Sequence, residues 1–229
     1  MEKIGRSIPV TRPYKLPLES NGWGGAYDDG EFTGSNISVT DNANFEISNT
    51  ATIQFTCLLR KQFGDYKKIF QKGGYGVGSY YFDIEAISGS HSMSFLFGAA
   101  APTNFRSVNA DNIYQYGLNN IAVTVDIPGD TSNFYINGRL SKTTHSLPVY
   151  ITSASNLLTT GNQDTVVTIY DTTYYGTVLT QPQIQDLMYG RILPTQFDCR
   201  LWHDYRLGHA RDQSGNNNHG TINGNVRFV

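Results

Sequence analysis

The chain has little cysteine, no marked excess of either charge and no long apolar run. Its 229 residues include 2 cysteines, Cys57 and Cys199. Two cysteines make no disulfide framework, and their spacing fits no zinc pattern. A single bridge and a pair of buried thiols acting as small hydrophobes both remain open. Lys and Arg number 17 against 19 Asp and Glu, a net charge of -2, so the basic footprint of a nucleic-acid binder is missing. No segment approaches the roughly 20 apolar residues of a membrane-spanning helix. Met1-Glu2-Lys3-Ile4-Gly5-Arg6 lacks the apolar stretch of a secretory signal. Catalytic signatures are missing too. His91, His145, His203, His209 and His219 are scattered, and none lies in a His-Glu-x-x-His pattern. There is no Gly-x-Ser-x-Gly elbow, and the glycine-rich run 73–78 lacks the lysine of a phosphate-binding loop.

Aromatic and turn residues are abundant: 23 Gly, 15 Tyr and 12 Phe. Segments with strand-like patterning include 37–39, 52–58, 80–84, 92–97, 121–127 and 166–170, separated by Gly-, Asn- and Asp-rich turns. Such a series predicts an all-β antiparallel jelly-roll sandwich, and about 200–250 residues is an ordinary length for one such domain. Phe134 and Ile136 share one strand face, and Asn137-Gly138 follows as a hairpin turn. One short helix is expected from Gln181 to about Tyr189. Thr180 and Gln183 form its capping box, Pro182 fits its first turn, Ile184, Leu187 and Met188 make its apolar stripe, and Gly190 stops it.

These pieces resemble the laminin-G/concanavalin A-like sandwich. Asn133-Phe134-Tyr135-Ile136-Asn137-Gly138-Arg139 matches a "lYiNG" hairpin, and 166–187, with Asp171 and Tyr174, matches the "vriYnraLtxxEI" strand and helix. The run 45–55 looks like the family's early strand, with Thr56 or Cys57 near its usual Trp. Ile69-Phe70-Gln71-Lys72-Gly73 resembles "iisKg", and 119–126 resembles "whhvAvty" without its Trp-His. The resemblance covers roughly Trp23 to Ile192. Asp212–Thr221 resembles the "DsSGngNhGt" turn that family members usually carry near their start, so residues 193–229 are expected to complete the same sandwich beside early strands. Residues 1–22, with Pro9, Pro13, Pro17 and four basic residues, read as an extended arm ahead of a 23–229 sandwich.

The resemblance implies a non-catalytic structural or interaction module. With the arm and the missing signal, the expectation is a virion surface component, a decoration, fibre or tail protein. Its partners would be other virion or assembly subunits engaged through the arm, further copies of itself, or cell-surface glycans, since glycan binding is compatible with that role. A cellular carbohydrate-binding module or lectin, extracellular or at the cell surface, is the alternative, and cell-surface glycans would be its partners. Sugar-binding candidates are Trp23, Tyr75, Tyr80, Tyr114 and Tyr116, with Tyr174 and Tyr175 behind them, since exposed rings stack on sugars. A weaker alternative is a glycan hydrolase using Asp83 and Glu85, but Tyr81 stands where the first carboxylate of a Glu-x-Asp-x-Glu strand belongs. No cofactor is required. Calcium is conceivable at Asp212, Ser214, Asn216 and Asn218, or at Asp28, Asp29 and Asp41. The first loop, however, has Asn217 and Asn223 where an EF-hand needs Gly and Glu, and reads better as an Asx-rich turn.

Overall fold

A computed structural model describes residues 26–27, 36–47, 49–59, 67–72, 81–86, 93–98, 105–110, 117–147, 158–161, 167–224 and 226–228. In chain order the strands are β1 (Ala26–Tyr27), β2 (Asn36–Val39), β3 (Thr50–Leu59), β4 (Lys67–Lys72), β5 (Tyr81–Ala86), β6 (Met93–Gly98), β7 (Phe105–Ala110) and β8 (Leu118–Asp126). There follow β9 (Thr131–Ile136), β10 (Arg139–Thr144), β11 (Leu158–Thr160), β12 (Val167–Tyr175), β13 (Cys199–Asp204), β14 (Thr221–Asn223) and β15 (Arg227–Phe228), with helix α1 (Gln181–Met188) between β12 and β13. They form two antiparallel sheets. The first runs β10-β9-β8-β3-β12-β1-β15, with β13 also on β12; the second runs β14-β2-β11-β4-β5-β6-β7.

The alternation of each strand sorts its side chains between two faces. Ile53, Phe55 and Cys57 of β3, Ile121, Val123 and Val125 of β8, and Phe134 and Ile136 of β9 point inward. There they meet Ile37, Val39, Phe70, Ile84 and Phe95 of the second sheet in one core. Burying a side chain of this size is worth about 1.5–3 kcal/mol. The opposite face of the first sheet carries Ala122, Tyr135, Tyr175 and Cys199, which pack under Leu179 and Ile184 at α1. Cys57 and Cys199 therefore lie on opposite faces and are both free. Burial holds both thiols up, Cys199 to about 12, so neither is a ready nucleophile.

The expected hairpin and helix are present and locked together. Asn137 and Gly138 take φ of 51° and 72°, as a two-residue primed turn requires. Gln183 Oε1 accepts from the Thr180 N–H at 2.8 Å at the start of α1, and Gln185 Nε2 donates to the Gly138 carbonyl at 2.8 Å. A Cβ on Gly138 would lie 2.7 Å from Gln185 Cγ, so only glycine lets the hairpin tip seat against the helix.

One local reading is corrected. Residues 45–55 are not one strand. Asn42 Oδ1 takes the Asn44 N–H at 2.9 Å and starts a 3-10 turn over Ala43–Phe45, so β3 begins only at Thr50. At the other end Asp204 caps a second turn, Tyr205–Leu207, so Tyr205 leaves β13 and points into the core. The last strands join both sheets: β14 pairs with β2 and β15 with β1. Gly220 permits the close approach beside β14, because a Cβ there would lie 2.5 Å from Ile37 Cγ2.

Candidate functional site

The site grows from an irregularity in β12. Ile169 pairs with Cys57, but Asp171 pairs with Thr56, so Tyr170 is an extra residue on β12. At this bulge Asp171 Oδ1 accepts the Thr56 N–H at 3.0 Å. The far edge of β12 changes partner at the same place. Thr168 and Ile169 pair with β1, whereas Asp171 to Tyr175 pair with β13. The sheet forks there, and Asp171 stands in the fork on the outer face.

Asp204 lies directly across from Asp171, and the two carboxylates share one cation. Arg206 Nε reaches Asp204 Oδ1 at 2.6 Å and Nη2 reaches Oδ2 at 3.0 Å, a two-point grip. The same Nη2 lies 3.6 Å from Asp171 Oδ2, beyond hydrogen-bond length. The Asp204 side chain is 5% exposed, whereas Asp171 is 18% and Arg206 38% exposed. Burial drives the Asp171 carboxyl up to about 6; Arg206 and the Thr56 hydrogen bonds pull against it, and Asp204 adds to it.

A polar row runs on from the fork. Thr56 Oγ1 accepts from Asn120 Nδ2 at 3.1 Å, and Asn120 Oδ1 accepts from Gln54 Nε2 at 2.9 Å. Gln54 Nε2 also points at the Ile184 carbonyl, 3.3 Å away, while its buried Oε1 has no protein partner. Asn137 Oδ1 takes the Asn120 N–H at 2.8 Å. Two residue pairs along from Asp171 and Asp204, Trp202 lies partly buried opposite Thr173. Acceptors and an indole thus run from the guanidinium at the fork toward α1, an inventory suited to hydroxyl-rich ligands. A raised carboxyl also suits acid–base chemistry. Here, though, the second carboxylate is held at two points by Arg206 and the first already spends Oδ1 on the backbone.

A second polar cluster lies in the tail and is closed. Asp212 Oδ1 accepts the N–H groups of Trp202 and Ser214 at 3.0 and 2.9 Å, and Oδ2 accepts the Ser214 hydroxyl and the Asn218 N–H at 2.8 and 2.9 Å. Burial works to raise this carboxyl, but these donors outweigh it and hold it below the usual range. Asn218 Nδ2 donates to the Arg200 carbonyl at 2.7 Å, and Asn218 Oδ1 accepts from Asn42 at 2.9 Å. The Asx-rich turn therefore spends its side chains on its own backbone and on its neighbours.

Trp23, Tyr75, Tyr80, Tyr114 and Tyr116 lie outside the described residues, as do residues 1–22, Asp28 and Asp29. The side chains of Tyr81, Asp83 and Glu85 are likewise outside them, although their backbone forms β5. Tyr174 and Tyr175 are described, and both correct the sequence reading. They are 0% and 1% exposed, Tyr174 edge-on to Phe45 in the core and Tyr175 edge-on to Phe197 beneath α1. Neither can stack on a sugar. Asp41 contacts Lys72, whose side chain is buried. Among the described residues no three His, Cys, Asp or Glu converge as metal ligands, and no helix is long and apolar enough to cross a membrane. Sequence reasoning missed Arg206 and Trp202 and saw Asp171 only as part of a motif. The available signal was a charged residue at the point where the alternation of β12 slips.

The family model described as the concanavalin A-like lectin/glucanases superfamily matches residues 29–185. Among curated proteins no sequence match is found. A suspected carbohydrate-binding protein from Bacteroides ovatus superposes with a TM-score of 0.64 at 12% identity, over 92% of this chain and 61% of that one. The botulinum neurotoxin serotype D ligand-binding domain, solved with N-acetylneuraminic acid, gives 0.57 at 17% identity over 76% and 43%. A botulinum neurotoxin type C structure, titled for cell entry through two ganglioside molecules, gives 0.54 at 16% over 69% and 40%. The chain thus spans less than two thirds of each of these three chains, and at such identities the likeness shows the fold alone.

Proposed function

The chain belongs to the concanavalin A-like lectin/glucanase superfamily, and from that premise we propose that it is a non-catalytic module that binds glycan. The observation that carries this reading is the fork at Asp171. A partly exposed carboxylate faces a partly exposed guanidinium there, with a buried hydrogen-bonding row behind them. Solved proteins of the same fold that are titled for sugar or ganglioside recognition support the ligand class. The test is binding of the purified chain to an immobilised glycan panel. The expected result is saturable binding that Asp171→Asn weakens about tenfold or more while the circular dichroism spectrum is unchanged, as removing a charged hydrogen-bonding partner should do. Absence of binding to every glycan would refute it.

We infer that the module is displayed on an assembled particle such as a virion, with residues 1–22 as the tether. The Pro-punctuated, basic arm sequence supports this. Solution mass of the full chain beside a version lacking residues 1–22 tests it. A defined oligomer lost on truncation is the expected outcome, and two monomers would remove the arm from any role in self-association.

A further inference from the structure

We infer that the fork selects uncharged glycans, holding a sugar hydroxyl between Asp171 Oδ2 and Arg206 Nη2, and discriminates against sialylated ones. This rests on the glycan-binding reading and narrows it to a ligand class.

A gap separates the two groups. Oδ2 and Nη2 face each other at 3.6 Å, too far for a direct hydrogen bond. Polar groups at such a separation are commonly bridged by an oxygen that touches both. A hydroxyl is suited to that place because it donates to the carboxylate and accepts from the guanidinium at once, whereas a carboxylate ligand can only accept. Oδ1 is already bonded to the Thr56 N–H, so the carboxylate is fixed in position before any ligand arrives.

Charge works in the same direction. Arg206 is the cation an acidic sugar would seek, but its Nε and Nη2 are already bonded to Asp204 at 2.6 and 3.0 Å. Asp171, Asp204 and Arg206 together sum to -1 with the acids ionised. Among the described residues, a sialic acid carboxylate entering the fork would meet two carboxylates and one guanidinium they already share. Like-charge contacts of this kind serve as the repulsive element by which an interface rejects a wrong partner.

The test uses paired oligosaccharides that differ only by a terminal sialic acid, lactose against sialyllactose first, titrated against the full chain. Neutral members are expected to bind about tenfold or more tightly than their sialylated partners. Asp171→Asn, which keeps an oxygen for the Thr56 N–H, is expected to weaken the neutral glycan and to narrow the ratio between the two. Arg206→Gln should weaken the neutral glycan as well. Equal or stronger binding of the sialylated members would overturn the selectivity and leave the glycan-binding reading standing. Neutral binding that both substitutions leave unchanged, with the spectrum of the fold intact, would overturn the fork as the site. Binding of neither sugar, nor of any glycan on the panel, would remove the broader reading as well.

Discussion

Asp212 and Asp171 flank the same strand, β13, and burial pushes both carboxyls up, yet they end in opposite states. Asp212 collects three backbone N–H groups and a hydroxyl, and its carboxyl is held down. Asp171 collects one backbone N–H and help from Thr56, faces Arg206 only at 3.6 Å, and has Asp204 across from it; its carboxyl rises to about 6. Both are partly shielded from water. The donors aimed at each carboxylate decide which way it goes. A turn crowded with Asp, Ser and Asn can therefore be the inert part of a protein, and a lone strand carboxylate the part still able to take a ligand.

The largest expected effect comes from breaking the closed cluster. Asp212→Ala strips acceptors from the N–H groups of Trp202, Ser214 and Asn218, and an unsatisfied buried donor costs about 1–3 kcal/mol. With some donors rescued by water, a loss of about 3 kcal/mol is expected in urea unfolding at pH 7. A loss below about 1 kcal/mol would mean that the turn is not the anchor of the tail. Gly220→Ala probes the same region by overpacking. The new Cβ meets Ile37 Cγ2 at 2.5 Å and Ala210 Cβ at 2.9 Å, and about 1–3 kcal/mol is expected.

The pH dependence separates the two carboxylates further. Asp171 titrates near 6 in the fold against 3.8 unfolded, so the native state binds more protons across that window. Stability from this group is full below 3.8 and is lost as pH rises through about 6. Asp212, held down, acts the other way, its contribution being present above 3.8 and lost at lower pH. His203 also opposes Asp171. Its Nε2 faces the Asn218 carbonyl at 3.0 Å and so carries the proton, and its Nδ1 accepts from the Tyr205 hydroxyl at 3.2 Å. Burial keeps this ring neutral below 6.5, so stability from it is lost as pH falls through that value. The difference between the native chain and Asp171→Asn, followed by unfolding from pH 4 to 7, cancels the other two groups. It should change by about 1–2 kcal/mol, the native chain losing ground as pH rises. A flat difference would show that Asp171 is solvated like any surface acid.

What was legible in the sequence was local. Asn137-Gly138 needs two left-handed residues in a row, and Thr180 with Gln183 bonds across a single turn, so both could be read from a few adjacent letters. The alternation of β3 and β8 likewise tells which residues face the core. It cannot tell which outward residues meet, because that depends on pairing between distant strands. Gln54, Thr56 and Asn120 join one row only through the β3–β8 register. Arg206 reaches Asp171 only because β13 lies antiparallel on β12 and Asp204 turns the chain back. Tyr174 and Tyr175 show the limit from the other side. Composition marks tyrosines as sugar platforms, and burial at 0% and 1% removes these two.

Asp186 supplies the smallest effect and the baseline for the comparison. Its carboxylate takes Arg191 Nη1 at 3.0 Å, the same length as the Trp202 bond in the closed cluster, but the side chains are 37% and 64% exposed. Water can replace either partner there, and Arg191 keeps its place over the Tyr189 ring, 4.8 Å from the centroid, without the acid. The Arg191 N–H bonds the Asp186 main-chain carbonyl at 2.8 Å, a contact that substitution leaves intact. Asp186→Asn is therefore expected to change the unfolding free energy by no more than about 0.5 kcal/mol, and less still in high salt. If it cost as much as Asp212→Ala, hydrogen-bond length alone would rank the carboxylates. Shielding and the number of donors would then lose their place as the distinction between the closed turn and the open fork.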